Sequence, residues 1–264
     1  MDSSLMGDSR GRMGFAKIED TTTCPGIRTM TIHILRGIYA GRIDPDYGRG
    51  RASAIAKQPL DGEVRIGADG IAGDEQADPV NHGGPERALL HYSLDNYRWW
   101  QAQYPERAAA FCPPGFGENL SSTGMDERNV HIGDVYRIGR IGRIGGCRLQ
   151  VSQPRSPCWK LDVRFDIAGM ARQVQDSARC GWFYRVLEAG TLRVGDGIDL
   201  LERLPDSLSI AAAMQAIYGD TEERELWRRL ADCTALAPNW RDKARRRLAG
   251  RADMRSAQRL TGGE

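Results

Sequence analysis

Short alternating segments separated by glycines dominate the chain between about residue 30 and residue 204. "GDVYRIG", "CRLQVS" and "GTLRVGDGIDLLER" are examples, and in the last of these Leu192 and Val194 alternate with polar residues before a Gly-Asp turn. This alternation is the period of a half-buried strand, and glycine permits the tight turns between strands. Many short strands joined in this way predict a closed or strongly curved β-sheet.

Helical patterns occur at two places in the chain. One interrupts the strands at about 93–110, where Tyr97, Trp100 and Tyr104 fall on one helix face. The other begins after Pro205 and predicts three helices. Their markers are an apolar series at Ile210, Ala213, Met214 and Ile217, a second one at Leu226, Trp227 and Leu230, and a start at Pro238.

These patterns predict a mainly β chain that is α+β overall. We expect a polar, mobile extension at 1–29, a β-barrel domain at 30–205 and a small three-helix domain at 206–264. The triplet repeat "RIGRIGRIGG" at 137–146 suits neither a regular strand nor a helix. It predicts a lengthened hairpin between two strands.

The composition is that of a soluble globular protein. Charged residues make up 27% of the 264 residues, hydrophobic ones 41%, and the formal net charge is +2. Such a small net charge argues against a nucleic-acid partner, and no apolar run is long enough to cross a bilayer. The start "MDSSLMGDSRGRMGF" lacks the apolar core of a signal peptide, so we expect a cytoplasmic protein.

The six cysteines give no sign of a zinc ribbon or a thioredoxin-type redox pair. They stand at positions 24, 112, 147, 158, 180 and 233, and no two of them have C-x-x-C spacing. In a reducing compartment we expect them to remain thiols, most of them structural.

The segment "SQPRSPCWK" at 152–160 places a cysteine on a stiffened backbone. Pro154 and Pro157 bracket Arg155, and each proline fixes its own φ angle and removes a hydrogen-bond donor. The segment therefore predicts a rigid loop at the end of a strand. In one interpretation, Cys158 on this loop is a ligand or nucleophile beside an anion-binding Arg155. In the other, it is an ordinary buried cysteine. These nine residues alone favour the ordinary cysteine.

Three further stretches are short, polar and marked by glycine: "GDEQADPVNHGGPERALLHY" at 73–92, "GFGENLSSTGM" at 115–125 and "CGWFYRVLEAG" at 180–190. Gly83 and Gly84 allow backbone N–H groups to approach an anion closely. Each stretch alone is also typical of an ordinary turn or of packed core.

Together these motifs closely resemble the MOSC family, the molybdenum-cofactor sulfurase C-terminal-like domain, and within it the YiiM-type proteins. "GDEQ", "NHGGPERA", "FGENL", "GDVYRIG", "SQPRSPCWKL" and "GW" occur in family order and cover roughly 30–240. Only the N-terminal 29 residues and the triplet repeat depart from the pattern. The resemblance implies a β-barrel followed by three helices and a bound molybdenum cofactor. It further implies reduction of N-hydroxylated compounds, such as hydroxylaminopurines, to amines, which is a detoxification reaction.

The resemblance also implies roles for particular residues. Cys158 would ligate the metal, because soft metals favour thiolate, and His82 and Glu118 are candidate proton carriers. The expected cofactor-binding residues, chosen as anion donors or pterin contacts, are Gly83, Gly84, Arg87, Asn119, Ser152, Arg155 and Lys160. Since the chain carries no flavin or iron–sulfur motif, we expect an external electron donor, a flavin reductase, besides the small-molecule substrate.

Two other functions remain open from the sequence. A non-redox carrier would bind the cofactor, or hold a persulfide on Cys158, and pass it on. A thiol enzyme would use Cys158 with His82 and no metal. Nucleic-acid binding by the basic segment at 241–264 ranks last, since arginine-rich faces are more often simply solvated.

Overall fold

The structure is a computed structural model that describes residues 33–79, 83–141, 146–220, 222–251 and 255–262. These residues form thirteen strands and seven α-helices. The strands are β1 (His33–Ala40), β2 (Asp44–Gly48), β3 (Arg51–Ser53), β4 (Gln58–Pro59), β5 (Val64–Gly67), β6 (Gly70–Ile71), β7 (Leu89–Ser93), β8 (Leu120–Ser122), β9 (Val135–Gly139), β10 (Cys147–Pro154), β11 (Trp182–Glu188), β12 (Gly190–Leu192) and β13 (Gly197–Glu202). The helices are α1 (Leu94–Gln103), α2 (Lys160–Phe165), α3 (Met170–Asp176), α4 (Ile210–Tyr218), α5 (Arg224–Asp232), α6 (Pro238–Leu248) and α7 (Arg255–Thr261).

Seven of the strands close into a barrel. Their order is β13-β9-β10-β11-β7-β8-β1, and β1 pairs again with β13 through His33 and Ile198. All of these pairings are antiparallel except that of β7 with β8. Closure removes the sheet edges, which is how a sheet of short strands avoids unpaired backbone groups. The predicted β-barrel is confirmed.

The alternation in β10 shows how the sequence selects the barrel interior. Cys147, Leu149 and Val151 are fully buried, while Arg148 and Gln150 between them are partly exposed. The strand ends at Pro154, the first proline of the stiffened segment. If the strand continued, Pro157 would also enter it, and each proline removes a backbone hydrogen-bond donor from the sheet. The loop that carries Cys158 therefore begins at the rim of the barrel.

The helix expected at 93–110 is confirmed over its first part. α1 covers Leu94–Gln103, and the hydroxyl of Ser93 caps it by accepting a hydrogen bond from the N–H of Asp95 at 3.3 Å. Tyr97 and Trp100 are buried as the spacing predicts. Pro105 then begins a separate 3₁₀ segment, because proline cannot continue the α-helical hydrogen bonds.

The C-terminal part of the chain contains the three expected helices, α4 to α6, and an unexpected fourth, α7. Residues of α4 to α6, including Ile210 and Trp240, belong to the same hydrophobic cluster as the barrel core. The backbone joins them too: the N–H of Ala237 donates to the carbonyl of Ser152 in β10 at 2.9 Å. The helices thus pack directly on the strand that leads to Cys158.

Some predictions lie at or beyond the limits of the described residues. The predicted extension at 1–29 lies outside them, and the domain boundary at 205 stays a prediction. The first triplet of the repeat, 137–139, is part of β9, contrary to the expectation that the repeat suits no regular strand. β9 and β10 pair antiparallel, with Cys147 opposite Ile138, as the predicted hairpin requires. The repeat's centre, 142–145, lies outside the described residues. None of the described helices combines the length and the apolar character needed to cross a bilayer.

We predict that Gly70→Ala destabilises the chain by about 3 kcal/mol or more. Gly70 has a φ of +104°, and a Cβ built there would overlap the carbonyl oxygen of Ala88, so steric overlap adds to left-handed strain. The matched control is Gly62→Ala, at an exposed turn with a φ of +75° and no described atom within 4 Å of a built Cβ. It should cost only about 1–2 kcal/mol. Urea denaturation measures both, and equal costs would contradict the predicted overlap.

Candidate functional site

A cavity of about 640 Å³ lies where loops of the barrel meet the C-terminal helices. Its wall includes five of the residues predicted from the sequence: Arg87, Asn119, Arg155, Cys158 and Lys160. These residues come from three motifs that are far apart in the chain. The fold therefore brings together most of the predicted cofactor-binding set around Cys158.

The loop that presents Cys158 is held at both ends by the barrel and by α2. At its start, the N–H of Arg155 donates to the carbonyl of Gly181 at 3.0 Å. At its end, the N–H of Leu161 donates to the carbonyl of Cys158 at 3.0 Å. Cys158 is 7% exposed. The prolines have the role expected of them, since they end the strand and keep the loop extended towards the cavity.

The C-terminal helices fix the same loop from the other side. The hydroxyls of Ser156 and Tyr218 are 3.1 Å apart, and Lys243 Nζ donates to Ser156 Oγ at 3.2 Å. The N–H of Trp159 donates to the carbonyl of Arg259 at 3.0 Å. Residues on both sides of Cys158 are thus anchored to α4, α6 and α7, so the position of the thiol depends on the helical region as well as on the barrel.

Arg155 is a buried cation that its protein surroundings do not fully satisfy. Its side chain is 7% exposed, and among the described residues its Nη1 atom has no hydrogen-bond partner. Gln153, two residues earlier and also on the cavity wall, has a buried Oε1 in the same situation. Unpaired polar atoms in a buried wall are uncommon and mark places where a ligand completes the hydrogen bonding.

The described wall of the cavity is strongly positive. Eight of its side chains are cationic and two are acidic, which gives the wall an excess of positive charge. The cationic residues are Arg51, Lys57, Arg87, Arg155, Lys160, Lys243, Arg246 and Arg259, and the acidic ones are Asp78 and Asp242. Cations concentrated in a concave, partly desolvated wall favour anionic ligands.

Lys57 is a cavity residue that the sequence did not single out. It is 5% exposed, and its ammonium group pairs with the carboxylate of Asp74 in the "GDEQ" motif. Burial lowers the pKa of Lys57, and Asp74 opposes that shift. Asn119 supports the pair: its Nδ2 donates to Asp74 Oδ2 at 2.8 Å and to the Tyr39 carbonyl at 3.1 Å. The amide of Asn119 is thus engaged within the protein while its side chain lines the cavity.

Glu118 lies behind the cavity wall. Its carboxyl group is fully buried, accepts a hydrogen bond from Tyr97 Oη at 2.6 Å and accepts a second from the N–H of Phe116 at 3.1 Å. Burial raises the pKa of Glu118 to about 7, against the lowering effect of the Tyr97 hydrogen bond. Its neighbours Gly117 and Asn119 line the cavity. The predicted proton carrier therefore titrates near neutral pH but is separated from the described wall.

The remaining predicted residues support the wall from behind or lie beyond the described residues. Ser152 uses its hydroxyl on the backbone, donating to the carbonyl of Glu86 at 2.6 Å, and so ties the "NHGGPERA" segment to β10. Gly84 has a φ of +90° and leads into the 3₁₀ turn that carries Arg87, while Gly83 donates its N–H to the Pro79 carbonyl at 3.1 Å. His82 lies outside the described residues.

Glu127 is a second residue that sequence reasoning missed. It is buried, and its Oε1 accepts hydrogen bonds from the N–H of Gly181 at 2.7 Å and from Asn96 Nδ2 at 2.9 Å. Burial raises its pKa. Because the carbonyl of Gly181 holds the N–H of Arg155, Glu127 positions the start of the Cys158 loop. Gly181 has a φ of +76°, and a Cβ built there would overlap the carbonyl oxygen of His91, so the position requires the glycine of "GW".

Comparisons with known proteins agree with this architecture. A MOSC domain matches residues 78–199, and a YiiM-like, 3-alpha helix domain matches residues 208–251. Protein YiiM of Escherichia coli (strain K12) is 39% identical over 217 residues, which are 82% of this chain and 93% of that protein. The chain belongs to the MOSC domain family. The expected resemblance and the expected fold are therefore confirmed.

Two further relatives add a structure and a name. The crystal structure of YiiM from Escherichia coli superposes on this MOSC protein with a TM-score of 0.70 and 31% identity, covering 87% of this chain and 98% of that one. A protein named Reductase from Gibberella moniliformis (strain M3125 / FGSC 7600) is 38% identical over 204 residues. That match covers 77% of this chain and 35% of the fungal protein.

The cysteines of this MOSC protein differ in their surroundings. Cys158 lines the cavity, whereas Cys147 and Cys180 are buried in the core and Cys112 is exposed. Burial raises the pKa of Cys147 to about 12, which keeps it a thiol at neutral pH. Among the described residues no three His, Cys, Asp or Glu side chains gather as a metal site. Cys158 is thus a single thiol donor on a cationic wall.

We predict that Glu118→Gln changes how stability depends on pH. The folded chain raises the pKa of Glu118 from 4.5 to about 7, so between these pH values it binds a proton that the unfolded chain releases. This group therefore lowers the stability of the wild type as the pH rises from about 4.5 to about 7, by about 3 kcal/mol.

Glu118→Gln should remove this loss of stability. Urea denaturation at pH 5 and pH 8 measures the free energy of unfolding of both proteins. Glu106→Gln, at an exposed position, is the control and should follow the wild type. Parallel pH dependence of the wild type and Glu118→Gln would show that Glu118 does not titrate near neutral pH.

Proposed function

We propose that this chain is a molybdenum-cofactor enzyme that reduces N-hydroxylated compounds to the corresponding amines. The observation that carries the proposal is that Cys158 and Arg155 line the same cationic cavity, and that the Nη1 atom of Arg155 has no hydrogen-bond partner among the described residues. Membership of the MOSC family supports the cofactor, and the reductase name of the fungal relative supports a redox reaction.

The residues of the cavity fit such a cofactor. The pterin carries a phosphate, and Arg155, Arg87 and Lys160 are charged donors suited to bind it. Gln153 offers a buried amide oxygen to the polar edge of the pterin. Cys158 would supply one thiolate to the metal, which binds sulfur ligands well.

The proposed reaction consumes two electrons and two protons. R–NH–OH becomes R–NH₂, and the hydroxyl oxygen leaves as water. When bound, the cofactor supplies the redox chemistry of this N–O cleavage. The electrons come from a separate donor, for which we propose a flavin reductase, and the substrate is a small molecule.

Proton supply is the task of the protein. Glu118 has a pKa of about 7, so it carries a proton in about half of the molecules at neutral pH, and it lies directly behind Gly117 and Asn119 of the wall. Lys57 is on the wall itself. Its lowered pKa makes its ammonium group a stronger acid than that of an exposed lysine. His82 remains a proposed proton carrier on the strength of the family resemblance.

We predict that Cys158→Ser stays folded but loses most of its molybdenum when purified from a host that makes molybdopterin. A serine hydroxyl is a poorer ligand than thiolate for this metal. Elemental analysis measures the content, and Cys112→Ser, at an exposed position away from the cavity, should retain it. Equal molybdenum in wild type and Cys158→Ser would remove Cys158 from the ligand set.

We predict that Arg155→Ala lowers pterin occupancy far more than Arg140→Ala. Losing a desolvated, charge-assisted hydrogen bond costs about 1.5–3 kcal/mol, or roughly tenfold to a hundredfold in affinity. Arg140 is exposed at the start of the triplet-repeat hairpin, where no such bond is lost. Fluorescence of the released and oxidised pterin measures the occupancy. Similar occupancy in both variants would mean that Arg155 does not bind the cofactor.

The activity itself is tested by product analysis. Reduced, molybdenum-loaded protein should convert an N-hydroxylated purine to the amine, with a strongly reducing dye in place of the flavoprotein. Cofactor-free protein and Cys158→Ser are the controls. No amine from fully loaded, reduced protein across a panel of hydroxylamines would favour a non-redox carrier. Equal turnover by the cofactor-free protein would favour a thiol enzyme.

A further inference from the structure

The C-terminal helices form a second cationic wall that the proposed cofactor does not use. α6 contributes Lys243 and Arg246 to the cavity, and α7 contributes Arg259. The residues proposed to bind the cofactor all lie on segments of the barrel side, between β6 and α2. The helical wall therefore faces the same cavity with positive charge of its own.

Two cations of this wall, Lys243 and Arg246, carry charge that the described residues do not neutralise. Among the described residues, Lys243 contacts uncharged groups, namely the hydroxyls of Ser156 and Tyr218 and two aromatic rings, and Arg246 is exposed. Among the described residues neither cation has a carboxylate within 4 Å, and the acidic Asp242 pairs instead with Arg245 at 2.8 Å. An excess of positive charge therefore remains on the cavity side of α6.

The placement of these cations suits an elongated anionic ligand. Lys243 and Arg246 are three residues apart, which puts them on one face of α6. Lys243 reaches Ser156, two residues before Cys158, while Arg246 is exposed to solvent. Arg51 of β3 is a further exposed cation on the cavity wall. A ligand with its reactive end at Cys158 would thus have its other end near Arg246.

We propose that the helical wall is a second anion subsite, which binds a phosphate of the substrate. The preferred substrates are then N-hydroxylated nucleotides rather than neutral bases. This inference rests on the proposed function and narrows it to an anionic substrate class. Arg246 of this wall and Arg51 of β3 are the specificity-determining residues, because charge-assisted hydrogen bonds from arginine suit phosphate.

The kinetic test compares an N-hydroxylated adenine nucleoside with its 5′-monophosphate. In the wild type, kcat/KM should be about tenfold higher for the monophosphate, and the difference should shrink as salt is added. Arg246→Ala and Arg51→Ala should each lower the monophosphate-to-nucleoside ratio by about threefold, which is within the range for an exposed ionic contact. Arg228→Ala, an exposed arginine of α5 that pairs with Glu225, is the control and should keep the wild-type ratio. Lys243 is left intact because it also holds Ser156.

A binding measurement separates this inference from the proposed function. Calorimetry should show that the cofactor-loaded protein binds adenosine monophosphate more tightly than adenosine. Arg246→Ala should weaken the binding of the monophosphate and leave the binding of adenosine unchanged. This result would support the subsite even if no hydroxylamine were reduced. Equal affinity for both compounds would overturn it. So would a fall in pterin occupancy in Arg246→Ala, which would assign the wall to the cofactor instead.

Discussion

The buried guanidinium of Arg155 is the constraint on which the rest of the site depends. A charge that is 7% exposed, with an Nη1 atom that has no partner among the described residues, requires negative charge nearby. The fold holds this cation in place rather than releasing it to solvent. Glu127 accepts a hydrogen bond from the N–H of Gly181, and the carbonyl of Gly181 accepts one from the N–H of Arg155. The electrostatic cost of this arrangement falls if the cavity binds an anion.

The barrel and the helices each supply one half of the environment of Cys158. The barrel ends β10 at Pro154 and sends the loop across the rim, while Tyr218 and Lys243 hold Ser156 from the helical side. Neither half alone defines where the thiol lies. This shared support gives a physical reason why the MOSC domain and the YiiM-like helical domain occur together in this chain.

Much of the fold and part of the site could be predicted from the sequence. Strand alternation predicts the barrel, and the proline-bracketed motif predicts the loop of Cys158, because both are local properties. Lys57 could not be found in this way, since its ion pair with Asp74 exists only once the segment after β6 lies beside the segment before β4, and a buried lysine looks like any other in sequence. The cofactor contact of Ser152 stays a prediction, and the hydrogen bond from its hydroxyl to the Glu86 carbonyl is a contact that only the packing decides. The helix α7 follows no clear apolar period.

We propose above that the cavity beside Arg155 and Cys158 holds an anionic molybdenum cofactor. Anomalous diffraction from crystals of the molybdenum-loaded protein, recorded on both sides of the molybdenum absorption edge, tests it most directly. We expect one strong anomalous peak in the cavity, adjacent to the sulfur of Cys158, with continuous density reaching the guanidinium of Arg155. A peak elsewhere in a fully loaded protein, or a cofactor that leaves Arg155 without a contact, would contradict it.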